Sequence, residues 1–172
     1  MLIKTHITAL EAAGKLRRYV PRGRHPPKRR LYLAGLAMQD FDDSSSATNL
    51  LVGKGFIEAA LTRWVSCGRI WGDNRGRFLD RLSPPPPEIW EIRVTEPVTQ
   101  ARLFGRFAEP DTLILTKFHT RALLGDKGSQ AWTAAMANGV KTWESLFPDH
   151  APFSGPNIHA YVTENCDAFP LS

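Results

Sequence analysis

Residues 89–121 have the sequence IWEIRVTEPVTQARLFGRFAEPDTLILTKFHTR, in which three short segments alternate apolar with ionisable residues. We predict that each segment is a β-strand, with the bounds Ile89–Val94, Ala101–Phe107 and Leu113–His119. Successive side chains of a strand point to opposite faces. The residues predicted to share a face are Glu91 with Arg93, Arg102 with Arg106, and Lys117 with His119. A surface with a carboxylate, guanidinium groups and an imidazole suits a phosphodiester better than a hydrophobic core.

The connections between these segments predict a meander. Glu96–Thr99 and Glu109–Asp111 each combine a proline with polar residues, which is typical of turns. If the turns centre near residues 97 and 110, Arg93 lies close to Arg102, and Arg102 lies close to Phe118 and His119. A slip of one residue in register would reverse the faces.

The flanking sequence predicts helices and one more strand. Helical spacing of apolar residues favours helices over residues 5–18, from Leu50 to about Cys67, and over 128–146 with Ser129 as N-cap. The apolar run Leu31–Met38 favours a strand, and residues 69–82 favour a loop followed by a helical turn or strand. We therefore predict an α+β domain: a twisted antiparallel or mixed sheet with N-terminal helices packed on it and a C-terminal helix.

The composition is that of a globular protein. In 172 residues, 42% are apolar and 23% are charged, enough for one well-buried domain. No apolar run approaches the ~20 residues that cross a bilayer, and residues 1–6 lack a secretory signal core. Cys67 and Cys166 have no CxxC partner, so neither a disulfide scaffold nor a zinc site is indicated. A cytoplasmic location is expected.

The charge is unevenly distributed along the chain. Residues 1–30 contain nine Lys or Arg and one acid, for a net charge of +8, whereas the remainder has 13 basic and 16 acidic residues, for −3. We predict a basic N-terminal extension (1–30), a central domain (31–146) and a Pro-rich C-terminal tail (147–172). The extension either binds nucleic acid or an acidic protein surface, or is a solvated segment that aids solubility.

Three motifs resemble the RelE/ParE toxin superfamily, specifically its HigB-like, phage-derived branch, over residues 31 to 146. Leu82 followed after the proline run by Ile89–Val94 is similar to that family's leucine, short loop and W-E-L-R strand. Gln100–Phe104 is similar to its second meander strand, and Ile114–Arg121 to the strand that ends in phenylalanine and basic residues. The loop Ala122–Lys127 departs from the pattern, because it lacks the usual lysine- and threonine-rich lead into the last helix.

The resemblance implies a RelE-like fold and a toxin of a type II toxin–antitoxin pair. Such a toxin is a metal-independent mRNA endoribonuclease, often ribosome-associated, that inhibits translation. Its partners would be a cognate antitoxin protein, mRNA and the ribosome, with no cofactor, metal ion or membrane. Two alternatives stay open: a ParE-like gyrase poison, and a non-enzymatic RNA-binding translation regulator.

Metal-free RNA cleavage needs a base for the 2′-hydroxyl, a cation for the phosphorane and an acid for the 5′-oxygen. We predict Arg102 as the phosphate-binding cation, because its planar fork grips two oxygens. His119 is the candidate acid or base, since imidazole titrates near neutral pH. Glu91 is either the base or an ion-pair partner that orients Arg93 or Arg102. The residues predicted to bind the RNA backbone are Arg93, Lys117 and Arg121.

Other residues are predicted to have structural or surface roles. Arg106 is expected to be solvated or to face an antitoxin. Three tryptophans, Trp90, Trp132 and Trp143, are expected in the core and not as platforms for base stacking.

Overall fold

A computed structural model describes residues 1–23, 26–71, 77–83 and 88–171 of the chain. Its helices are α1 (Ile3–Ala12), α2 (Gly35–Asp42), α3 (Ala47–Leu51), α4 (Lys54–Val65), α5 (Arg121–Leu124), α6 (Gln130–Leu146) and α7 (Ile158–Tyr161). Its strands are β1 (Leu16–Arg18), β2 (Arg30–Ala34), β3 (Leu79–Arg81), β4 (Trp90–Val94), β5 (Ala101–Glu109) and β6 (Thr112–Thr120). The prediction of an α+β fold is confirmed. None of the described helices is both long and apolar enough to span a membrane.

The described strands form one mixed sheet in the order β1-β2-β6-β5-β4-β3. The predicted meander is confirmed, since β4 pairs antiparallel with β5 and β5 with β6. β2 runs parallel to β6, and β1 and β3 are antiparallel edge strands. A parallel pair needs a long crossover connection, and α2, α3 and α4 lie within the connection from β2 to β6.

The two faces of the sheet carry separate hydrophobic clusters. One face, with Leu33, Trp90 and Leu103, packs against Leu61 and Trp64 of α4; we call this cluster the main core. The opposite face packs against α1 and α6 and is called the α6 face. It buries Tyr32, Phe104 and Ile114 together with Trp132 and Trp143. The three tryptophans predicted to be core residues are therefore buried.

A bulge in β6 determines which face its residues occupy. Phe104 lies opposite Lys117 whereas Gly105 lies opposite Leu115, so Thr116 is an extra residue in β6. Leu115 therefore faces the main core, but Lys117 lies on the α6 face beside Phe104. The approach of the strands is close here: a Cβ on Gly105 would lie 2.5 Å from the Ile114 carbonyl oxygen.

The predicted helices needed correction at their ends. The helix predicted over residues 5–18 ends at Ala12, and after Gly14 with φ +68° the chain turns into β1. The helix predicted from Leu50 is divided into α3 and α4 at Gly53, whose φ is +99°. Ser129 caps α6 as predicted, because its hydroxyl accepts a hydrogen bond from Trp132 N–H at 3.2 Å.

The run Leu31–Met38 forms a strand only as far as Ala34, and α2 begins at Gly35. β2 therefore covers only the first half of the edge of β6. Asp40 of α2 covers part of the second half, because its carboxylate accepts a hydrogen bond from Phe118 N–H at 3.0 Å.

The predicted extension and the predicted tail both pack against the central residues 31–146. β1 lies within residues 1–30, the predicted extension, and pairs with β2 in the same sheet. α7 and Val162 lie within 147–172, the predicted tail, and Tyr161 and Val162 are buried in the main core. Arg29, 1% exposed, donates to the carbonyl oxygens of Gly68 at 3.0 Å and Glu164 at 2.6 Å, so it ties the tail to the end of α4.

Candidate functional site

The register of the meander brings the predicted site residues onto the α6 face. Arg93 of β4 lies opposite Arg102 of β5, which lies opposite His119 of β6. One step along, Glu91 and Lys117 both lie opposite Phe104. Directly opposed residues on antiparallel strands have Cβ atoms ~4.5–5.5 Å apart. The five predicted residues of the three strands therefore form one cluster. Arg93 and His119 are confirmed as neighbours of Arg102, whereas Phe118 lies opposite Leu103 on the main-core face.

Glu91 is fully buried and lies between two guanidinium groups. Its Oε1 accepts a hydrogen bond from Arg93 Nε at 2.7 Å, and its Oε2 lies 3.6 Å from Arg102 Nε. Its side chain is 0% exposed. A buried carboxylate with cations on both sides fixes their positions, since separating the charges in a low-dielectric environment is costly. This geometry favours the interpretation of Glu91 as a group that orients Arg102.

Arg102 is 8% exposed, less than expected for a residue predicted to face a ligand. Besides Glu91, it donates to Ala101 O at 2.9 Å and to Gln100 Oε1 at 3.0 Å. Burial lowers the pKa of Arg102 and Glu91 opposes that shift, so the guanidinium stays charged at neutral pH. Next to Arg102 on the same face, α6 packs on β5, with the ring of Trp132 5.7 Å from the ring of Phe104.

His119 is a neutral imidazole at physiological pH. Its ring packs on Phe104 with a centroid distance of 4.8 Å, and burial lowers its pKa to about 4, with a further lowering by the Lys117 charge that Asp40 opposes. Its Nε2 atom is buried and has no hydrogen-bond partner within the described ranges. The neutral ring has a free lone pair at physiological pH and can accept a proton, although an efficient general base has a pKa closer to the operating pH.

The low pKa of His119 makes stability depend on pH. Between about pH 4 and 6.5 the unfolded state binds a proton that the folded state does not, so the folded protein gains stability as pH rises through this window. In the wild-type protein, His119 makes the free energy of unfolding roughly 2 kcal/mol larger at pH 7 than at about pH 4.5. We expect the His119→Gln variant to lack this contribution. Urea unfolding at both pH values measures it. An unchanged difference would contradict a buried, neutral His119.

Asp80 adds a second carboxylate that the sequence did not reveal. In β3 it lies opposite Glu91, and its Oδ2 accepts from Arg93 Nη2 at 2.7 Å. Its carboxylate also lies 3.0 Å from Arg77 Nη1 and 3.7 Å from Lys127 Nζ. Lys127 thus adds a cation to the cluster. It belongs to the loop Ala122–Lys127, which departs from the lysine- and threonine-rich pattern of the RelE/ParE superfamily. Only the β3–β4 register identifies Asp80.

Two of the residues predicted to bind RNA, Lys117 and Arg121, lie at different sides of the cluster. Lys117 donates to Asp40 Oδ1 at 2.7 Å, beside a cleft of about 310 Å³ that both residues and His119 line. Arg121 begins α5 directly after β6, where its guanidinium lies 5.3 Å from the ring centroid of Trp132 and donates to Gly125 O.

The expectation for Arg106 was wrong. It is buried, lies 5.7 Å from the ring centroid of Trp143, and donates to Glu88 O at 3.4 Å. The packing of α6 against β5 explains its burial.

Comparison of the chain with family models, with curated proteins and with solved structures finds no match. In the described part of the chain, no three His, Cys, Asp or Glu side chains converge as metal ligands would.

Proposed function

We propose that this protein is a metal-independent endoribonuclease of the RelE/ParE, HigB-like type, acting on mRNA as the toxin of a toxin–antitoxin pair. The observation that carries the proposal is the direct opposition of Arg102 and His119 on β5 and β6. It supports the proposal because a fixed guanidinium beside a neutral imidazole would supply two of the three groups that cleavage needs, the cation and the base.

In the proposed reaction His119 removes the proton of a ribose 2′-hydroxyl. The 2′-oxygen attacks the adjacent phosphorus, the bond from phosphorus to the 5′-oxygen breaks, and that oxygen takes a proton from solvent. The products are a 2′,3′-cyclic phosphate and a 5′-hydroxyl end. Arg102, held by Glu91, stabilises the extra negative charge on the phosphorane, and stabilisation of this kind is often the largest catalytic term.

The surrounding charges support an RNA substrate. Arg93, Arg121 and Lys127 add positive charge around Arg102, against the carboxylates of Glu91 and Asp80. Lys117 is 37% exposed and lies next to the 310 Å³ cleft that His119 also lines. A phosphodiester backbone that follows these cations would pass His119.

The low exposure of Arg102 favours one second candidate, a non-enzymatic RNA-binding regulator that uses the outer cations alone. In that case RNA is bound on the α6 face without being cleaved. The wild-type protein, assayed in EDTA with RNA labelled at its 5′ end, distinguishes the two.

We expect fragments that end in a cyclic phosphate from naked RNA in EDTA or, in a separate cell-free translation reaction that retains its Mg²⁺, from translated mRNA. A gel shift of intact RNA would instead support the binding module. Protein that neither cleaves nor binds RNA, with or without ribosomes, would contradict both proposals.

A further inference from the structure

A basic cleft of about 790 Å³ lies between the edge strand β1 and helix α4. Its charged lining residues are Arg17, Arg18, Arg22, Lys54 and Arg63, with Glu58 as the single acid. Leu33 forms part of its floor and belongs to the main core, so the cleft lies on the face of the sheet opposite Arg102 and His119. Arg17 is already paired with the Asp42 carboxylate at 2.8 Å, and Arg18 lies opposite Tyr32 of the α6 face. Arg22, Lys54 and Arg63, with Glu58 as the single acid of the lining, are left to attract an anionic ligand.

The two aromatic residues that line the cleft, Tyr19 and Phe41, are in contact with other side chains of the lining. Lys54 Nζ lies 4.6 Å from the ring centroid of Phe41, and Tyr19 contacts the same ring edge-on at 5.9 Å. The Tyr19 hydroxyl lies within hydrogen-bonding distance, 2.9 Å, of Thr62 Oγ1. Single-stranded nucleic acids bind such grooves largely by stacking bases on open rings. The occupied rings therefore favour an acidic peptide over RNA.

The backbone beside the cleft is an open strand edge. β1 is the outermost strand of the described sheet on this side. Because Tyr19 N–H donates to Leu31 O at 2.8 Å, Arg18, opposite Tyr32, occupies a non-hydrogen-bonded position. Its N–H and C=O therefore point away from β2. Such an edge can pair with an extended peptide, whose main chain supplies affinity while its side chains supply specificity.

We propose that the cleft binds an extended acidic segment of a partner protein, which pairs with β1 as an additional strand. Its carboxylates meet the arginines and Lys54 at the rim, and its apolar side chains contact Leu33 and Phe41 below. The site is independent of the proposed nuclease activity, because it lies on the other face of the sheet. A partner bound here leaves His119 uncovered.

The probe is a fluorescein-labelled peptide of 12 residues that alternates Val with Glu, with an alternating Val–Lys peptide and an RNA of 12 nucleotides as comparisons. We expect the acidic peptide to bind, and Arg22→Glu with Lys54→Glu to weaken its binding at least about tenfold. Lys15→Glu with Lys141→Glu is the matched control, since both residues are exposed, lie outside the cleft and change the net charge equally. This control is expected to change binding less than about twofold.

A second pair of variants tests the strand pairing. Arg18→Ala removes a side chain that lies with Tyr32 on the α6 face, whereas Arg18→Pro removes the same side chain and also the outward N–H of an exposed edge, where proline is tolerated. We expect Arg18→Pro to bind the peptide at least about fivefold more weakly than Arg18→Ala, with circular dichroism confirming that both are folded.

Several results would overturn the proposal. They are failure of the acidic peptide to bind, equal weakening by the two double variants, RNA binding that depends on the cleft residues without peptide binding, and equal affinity of the two Arg18 variants.

Discussion

Arg102→Ala is expected to lower the initial rate of RNA cleavage about 100-fold or more, the loss typical of removing one donor that stabilises developing negative charge. Arg102 is suited to this role because Glu91, Gln100 and the Ala101 carbonyl fix its guanidinium before substrate arrives. A cation held in place needs no reorganisation in the transition state, whereas a mobile surface arginine does. The rate of cyclic-phosphate formation from labelled RNA measures the effect.

Arg102→Lys separates charge from geometry. Lysine keeps the positive charge but cannot present two parallel N–H groups to a phosphate, so we still expect a loss of at least about tenfold. Arg30→Ala is the matched control, because Arg30 is 46% exposed on β2 and pairs with Glu109 away from the cluster. It is expected to change the rate less than about twofold. A folded Arg102→Ala variant that cleaves RNA at the wild-type rate would refute the proposed role.

Glu91→Ala is expected to lower the free energy of unfolding by about 3–5 kcal/mol, the usual cost of removing one partner from a buried ion pair. Its side chain is 0% exposed, and without it Arg102 loses its only carboxylate partner in the described part of the chain. Arg93→Ala should cost less, because Arg93 is 18% exposed and Asp80 retains Arg77. Urea unfolding of the two variants gives the comparison.

Glu91→Gln distinguishes orientation from proton transfer. If Glu91 only orients Arg102, the amide variant cleaves RNA more slowly but keeps the pH dependence of the wild-type rate, because His119 remains the base. If Glu91 is the base, the carboxylate cannot be replaced and cleavage disappears although the protein is folded. Suppose that folded Glu91→Gln does not cleave RNA at all and that Arg102→Ala, made in the wild-type background, also lowers the rate. That result would assign proton transfer to Glu91.

The alternation of apolar and ionisable residues was sufficient to predict the meander and the cross-strand neighbours of Arg102. It did not predict the bulge, although the two consecutive polar residues Thr116 and Lys117 interrupt the alternation at that point. Nor could it predict that Arg102 is buried, since burial depends on tertiary contacts such as the ion pair with Glu91. Local patterns define a strand and its two faces, but tertiary packing decides which face is covered.

Strand β1, which lies within the basic residues 1–30, was not predicted from the sequence. β1 is three residues long, too short for period-two alternation to stand out, and only Leu16 in it is buried. Its existence depends on pairing with β2, a contact between segments that sequence patterns do not connect. The same applies to Asp80: its strand β3 is also three residues long, and only the pairing with β4 shows that Asp80 lies opposite Glu91.

The contact between Arg29 and the Glu164 carbonyl also constrains when the protein can fold. The two residues are 135 positions apart, and Tyr161 and Val162, which complete the main core, are translated just before Glu164. The main core thus stays incomplete until the ribosome has passed these residues, and contacts across such separations form slowly. We infer that a nascent chain that lacks Tyr161 and Val162 has no complete main core. The ribosome that synthesises this protein would meet its folded form only after it has translated Glu164.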